Sequence, residues 1–188
     1  MRKRLLDLIL VLVSAPLWLP VLAVLALLVR VLSGAPVFFR QERVGRGGRP
    51  FRIWKLRTMS CAADPAARTI TRLGAWLRPR GLDELPQILN VLGGDMSLVG
   101  PRPLTIADAR RLAAAHPPFA ARLALRPGVT GLAQVCLARG PALTVRLDLD
   151  YARRRSVGLD LAILLRTAWM NVVGKKRGAR PLPEGQTP

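Results

Sequence analysis

From Leu8 to Val29 the chain carries no charged residue. A helix over that run, at about 1.5 Å per residue, is about 33 Å long and reaches across a hydrocarbon core. Ser14, Pro16 and Pro20 lie inside it. Each proline removes an amide donor and collides with the carbonyl one turn earlier, so a straight helix is broken near its middle. The basic residues Arg2, Lys3 and Arg4 precede the run, and Arg30, Arg40, Arg43, Arg46 and Arg49 follow it. The preference of cationic flanks for the cytoplasmic side pulls both ends the same way, and a hairpin that enters and returns satisfies both. Backbone freed at the break must find partners in lipid, and the Ser14 hydroxyl is placed to supply one. Residues 1–32 are therefore expected to form a re-entrant helix-break-helix membrane hairpin. The alternatives are a single kinked transmembrane helix and a signal peptide cut after Val24, Leu25 and Ala26. The signal peptide is the weakest, because Asp7 interrupts its basic region and the apolar run is too long.

The remainder is basic without being polar. Lys and Arg number 30 against 11 Asp and Glu, a formal charge of +19, while 51% of the 188 residues are hydrophobic. A disordered cationic tail would be poor in apolar residues. An apolar, basic chain meets an anionic surface: nucleic acid, acidic lipid or a phosphorylated substrate. Cys61, Cys136 and His116 are too few and too scattered for a disulfide framework or a zinc site.

After a Ser33-Gly34-Ala35-Pro36 break, Val37 to Gln41 and Pro50 to Leu56 flank a glycine-rich turn and predict a β-hairpin. Thr69 to Leu77 and Leu104 to Ala115 read as helices, the second ended by His116 and two prolines. Arg126 to Val135 reads as a loop running into a short strand. Leu159 to Val173 is apolar apart from Asp160, Arg166, Thr167 and Asn171, three of which share a helical face, and Lys175-Lys176-Arg177 follows. That pattern fits an amphipathic helix lying at a membrane interface and equally a core helix with a solvated tail. Residues 179–188 are expected to be a disordered tail. The fold class is α+β and helix-rich: the membrane hairpin, then a catalytic domain over 33–178 with a short β-hairpin and interfacial amphipathic helices.

Asp83-Glu84 is the only adjacent acidic pair in the chain. Pro86 suits the first turn of a helix, which puts Asp83 at or near its N-cap and Glu84 in its first turn. Two carboxylates there suit Mg²⁺, which bridges phosphates. Ordinary helix capping produces the same pair. Downstream, Arg102 stands between Pro101 and Pro103, and the stiffened backbone presents a guanidinium suited to bidentate phosphate binding. Lys55, Arg57 and Arg126 add further cations.

Six blocks in order resemble the small monotopic phosphoglycosyl transferases of the bacterial sugar transferase family. They are GAPVFFRQERVG (34–45), KLRTM (55–59), TITRLGAWLR (69–78), LDELPQILNVLGGDMSLVGPRP (82–103), RPGVTGLAQV (126–135) and LDLDYARRRSVGLDLAIL (147–164). The resemblance implies transfer of a phosphosugar from a UDP-sugar to polyprenol phosphate, such as undecaprenyl phosphate, with release of UMP, as the first membrane step of glycoconjugate assembly. It implies that Asp83 is the nucleophile of an aspartyl-phosphosugar intermediate and that Glu84 is its partner. Both would bind Mg²⁺. Lys55, Arg57, Arg102, Arg126, Thr130 and Asp148 fall on positions near the substrate. The implied location is the cytoplasmic face of the bacterial inner membrane, with acidic lipids as partners, no nucleic acid, and the oligomeric state open. Two stretches depart from the family pattern: Ala107 and Asp108 stand where an acidic residue usually follows the PRP motif, and Cys136 to Arg139 replace an Asn-Gly-Arg. The rival reading is a non-catalytic basic protein that binds membrane or nucleic acid. It accounts for the charge but not for the acidic pair.

Overall fold

The computed structural model describes residues 2–62 and 64–173. Its first two elements are α1 (Arg2–Val13) and α2 (Ala15–Ser33), with the break at Ser14. Ser14 Oγ donates to the Leu10 carbonyl at 2.6 Å and lies 3.3 Å from the Val11 carbonyl. Trp18 Nε1 donates to the same Val11 carbonyl at 2.9 Å. The Leu10 and Val11 carbonyls beside the break thus accept from side chains, in part from a tryptophan that the sequence did not single out. Pro20 does not interrupt α2, which runs on through it.

Both helices lay one face on the rest of the chain. Leu22, Leu25 and Val29 of α2 join a core with Leu56 and Leu77, and Val11 of α1 joins a second core with Ile53, Val91 and Met96. The opposite faces are apolar and uncovered, with Leu12, Val13, Leu17, Val31 and Leu32 all exposed. By length and composition α2 could cross a membrane. The basic start of α1 is used internally: Lys3 pairs with Asp160 at 2.7 Å, and Arg4 donates to the carbonyls of Val91 and Leu92. Asp7, buried, accepts from Ser97 Oγ at 2.7 Å.

The expected hairpin forms from β1 (Phe38–Val44) and β2 (Pro50–Leu56), antiparallel, with Phe39 opposite Lys55. Next come α3 (Arg72–Arg80), a 3-10 turn over Leu82–Glu84, and α4 (Gln87–Gly93). The helix expected from Thr69 starts three residues later, because Thr71 is its N-cap and accepts from the Gly74 amide. Gly74 is required here: a Cβ would lie 2.3 Å from the Thr58 carbonyl. Then follow β3 (Ser97–Val99), α5 (Ile106–Ala115, ended by His116), β4 (Gly128–Thr130), α6 (Leu132–Val135), α7 (Pro141–Arg154) and α8 (Val157–Val173). β3 and β4 pair in parallel. The strand expected near Val135 is only Gly128–Thr130, and Leu132–Val135 turns helical.

In α8 the polar face points inward. Asp160 accepts from the Tyr151 hydroxyl at 2.6 Å, and the Thr167 and Thr130 hydroxyls meet at 2.7 Å. Leu161, Leu165, Trp169 and Val172 form the outward face, so this helix presents an apolar surface rather than a solvated one. The basic Lys175-Lys176-Arg177 segment and the tail expected over 179–188 lie outside the described residues.

Candidate active site

Gly81 ends α3 in the left-handed conformation, φ 68°, and the chain at once winds into the 3-10 turn that carries Asp83 and Glu84. The N-cap of α4 is Pro86, three residues beyond Asp83. The acidic pair therefore precedes the helix rather than capping it, since the positive-φ glycine starts a new spiral earlier than Pro86 alone suggests. Asn90 locks α4 to the hairpin: its amide donates to the Arg52 carbonyl at 2.8 Å and its Oδ1 accepts from the Trp54 amide at 3.0 Å. This side chain acts as a further strand partner for β2, and it brings Lys55 against the 3-10 turn.

Lys55 Nζ lies 2.7 Å from Glu84 Oε1, and Arg102 approaches the same oxygen at 3.4 Å. Asp83 is 8% exposed. Burial, and next the charge of Glu84, push its carboxyl above the usual aspartate range; Lys55 and Arg78 pull the other way. Both carboxylates face a cavity of about 730 Å³, lined also by the cations Arg43, Lys55, Arg57, Arg68, Arg78 and Arg102. Of these, Arg43, Arg68 and Arg78 were not candidates from the sequence; among 30 cations no local signal marks them.

The other candidates are distributed differently. Arg57 lines the cavity, but its guanidinium is spent on the Ser33 and Gly34 carbonyls at the end of α2 and on Cys61 Sγ. Thr130 is buried and lines a second cavity that shares Glu84 and Arg102 with the first. Arg126 lies apart, in a cleft with Arg46, Arg49 and Asp95. Asp148 lines neither the first cavity nor the second. It is buried against Arg122, which also donates to the Arg102 carbonyl at 2.9 Å. Arg122 was not singled out by the sequence, and it connects Asp148 to the site through the backbone of Arg102.

Among the described residues no group of three or more His, Cys, Asp or Glu is assembled. Two adjacent carboxylates remain as hard oxygen donors, which fits Mg²⁺: that ion is commonly held by one or two carboxylates together with substrate phosphates. A carboxylate pair ringed by cations, with Asp83 buried and Glu84 partly exposed, can receive a polyanion and attack it.

The model of the bacterial sugar transferase family matches residues 1–174. The UDP-glucose:undecaprenyl-phosphate glucose-1-phosphate transferase of Caulobacter vibrioides is 47% identical over 182 residues, covering 89% of this chain and 68% of that protein. The protein of the same name in Escherichia coli is 37% identical over 188 residues, 92% of this chain and 40% of that one. The UDP-N-acetylgalactosamine-undecaprenyl-phosphate N-acetylgalactosaminephosphotransferase of Aeromonas hydrophila is 35% identical over 178 residues, 88% of this chain and 42% of that one. The chain belongs to the bacterial sugar transferase family. Sugar-1-phosphate transfer is the activity these relatives are named for, and the chain spans two fifths or so of the two longer ones.

Proposed function

We propose that this chain transfers a sugar-1-phosphate from a UDP-sugar to undecaprenyl phosphate or a similar polyprenol phosphate. The observation that carries this reading is the buried Asp83 beside Glu84 in a cavity with six cationic side chains. The names of the relatives agree with it. The Asp83 carboxylate attacks the sugar-bearing phosphorus; the phosphorus–oxygen bond to UMP breaks, and UMP leaves with the bridging oxygen. An acyl phosphate now holds the phosphosugar on Asp83. An oxygen of the lipid phosphate attacks the same phosphorus, and the carboxylate departs unchanged. Splitting the transfer lets a soluble donor and a membrane-borne acceptor use one site in turn.

Lys55 and Arg102 hold Glu84 and offset the repulsion between carboxylates and pyrophosphate. Lys55 and, more weakly, Arg78 oppose the upward pull of burial and of Glu84 on the Asp83 carboxyl. Mg²⁺, held by Asp83 and Glu84, would supply charge neutralisation on the phosphoryl oxygens.

The same reading puts residues 1–32 in the inner membrane as a re-entrant hairpin, with the catalytic part from residue 33 onward at its cytoplasmic face. What supports it is that Lys3 and Arg4 at the start of α1, and Ser33 at the end of α2, are all bonded to the same body, while the opposite helix faces are apolar and exposed. Acidic lipids suit the net charge.

Rapid quench of the protein with labelled UDP-sugar, Mg²⁺ and no lipid tests the mechanism. Label should appear on the protein with one UMP released per site, and both should vanish in Asp83→Asn. Steady-state rates at several fixed lipid concentrations should give parallel double-reciprocal lines. Intersecting lines with no trapped label would replace the covalent route by direct attack of the lipid on the donor.

A further inference from the structure

The cavity that shares Glu84 and Arg102 with the main one has a volume of about 310 Å³ and a different chemistry. Among the described residues its wall holds no other charged side chain. Thr130, Gln134, Thr167 and Asn171 give it neutral hydrogen-bonding groups, set between apolar patches such as Val129 and Ala133. Among the described residues no aromatic ring lines it, whereas Phe39 lines the cationic cavity. A uracil wants a flat stacking surface. A pyranose wants the mixture found here, neutral donors and acceptors for its hydroxyls and apolar contacts for its C–H faces.

One detail points to an occupant. The Gln134 amide nitrogen donates to the Val129 carbonyl at 3.2 Å, but its Oε1 is buried and, among the described residues, has no hydrogen-bond partner. Such an acceptor costs free energy unless something donates to it. Leu137, also on this wall, has φ 48° because it is the left-handed residue that caps α6: its amide donates to the Gln134 carbonyl at 3.1 Å and the Ala138 amide to the Ala133 carbonyl at 2.9 Å, which fixes where Leu137 sits on the wall. Leu137 lies in the 136–139 stretch that departs from the family pattern.

We propose that this second cavity is the sugar subsite: the pyranose of the UDP-sugar enters it while the diphosphate lies among the cations of the first, and Gln134 and Leu137 set which sugar is accepted. The inference rests on the donor being a UDP-sugar. It adds where the sugar goes and which residues read it.

The test uses the full chain in lipid nanodiscs. Calorimetry in an Asp83→Asn background measures UDP and UDP-sugar binding without covalent capture, and UMP release by the otherwise native enzyme compares UDP-glucose, UDP-galactose and UDP-N-acetylglucosamine. Gln134→Ala should weaken the preferred UDP-sugar by roughly three- to tenfold while UDP alone changes by less than about twofold, one neutral hydrogen bond being lost. Retained UDP affinity also reports that the variant is folded. Leu137→Gly should change the ratio of kcat/KM between two of the sugars by about tenfold or more, the scale of pocket-shape discrimination. Equal weakening of UDP and UDP-sugar would overturn the proposal by putting the nucleoside in this cavity. No change in either, with no change in sugar ratio, would overturn it by taking the cavity out of the donor site. Failure of the native enzyme to use any UDP-sugar, with UDP still bound, would instead remove the donor reading itself.

Discussion

Arg122 and Asp148 form an ion pair at 2.7 Å with almost no exposure, 4% and 2% for the two side chains. The same guanidinium holds the carbonyl of Arg102, whose side chain reaches Glu84. Burial raises the Asp148 carboxyl to about 6, and the Arg122 charge opposes the rise without cancelling it.

Arg122→Met should therefore destabilise the protein at neutral pH by about 3–5 kcal/mol, because Asp148 is left charged and unpaired in the interior. A carboxyl raised in the fold favours folding most when protonated, so its contribution is largest below about pH 4 and is lost as pH rises through about 6. The loss caused by Arg122→Met should accordingly shrink on moving from pH 7.5 to pH 5. Denaturant titration in detergent at the two pH values reads this; an equal loss at both would contradict it.

On the proposed covalent route Asp83 must be ionised to attack, and its carboxyl is held above the ordinary range by burial first and Glu84 second. The single-turnover rate of UMP release should fall on acidification, with its inflection higher than a free aspartate would give. Glu84→Gln removes one of the charges responsible, so the residual rate should titrate at lower pH. An inflection that stays put or moves up would assign the acid limb to another group.

Arg102→Lys should lower kcat/KM by roughly ten- to a hundredfold, the size of a lost charge-assisted hydrogen bond, because an ammonium cannot reproduce the planar fork. Glu84 keeps Lys55 at 2.7 Å in this variant, so the fold should hold. The measurement is initial-rate kinetics beside a thermal melt.

Replacing Pro16 and Pro20 together by Leu restores two amide donors to a run that is already apolar. The segment should then shift towards spanning. Single cysteines placed before Leu5 and after Arg30 should label from the same side in the native sequence and from opposite sides in the variant. Opposite sides in the native sequence would rule out the hairpin.

Much of the frame was legible from residue order. The β-hairpin announced itself by aromatic and branched runs around glycines, and the break by prolines beside a serine. The acidic pair stood out because acids are scarce. What escaped depended on long-range packing. Leu132–Val135 is a four-residue apolar run, too short for periodicity to separate helix from strand. The shared face of Asp160, Thr167 and Asn171 was visible, but not that it would turn inward to meet Tyr151 and Thr130. Arg122 and Gln134 carry no local signature: one is a cation among many, and the other sits in a run read for its backbone. Each matters through partners distant in sequence.

Arg57 sits on the cavity wall and grips the last carbonyls of α2, while Leu22, Leu25 and Val29 of that helix complete the packing under Leu56 and Leu77. The N-terminal helices are therefore not an interchangeable tether. A chimaera in which an unrelated apolar helix replaces residues 1–33 would remove the packing beneath Leu56 and the Ser33 carbonyl that holds Arg57, and both Leu56 and Arg57 line the cationic cavity. Conversely, any displacement of α2 would be transmitted directly to the loop carrying Arg57 and Cys61.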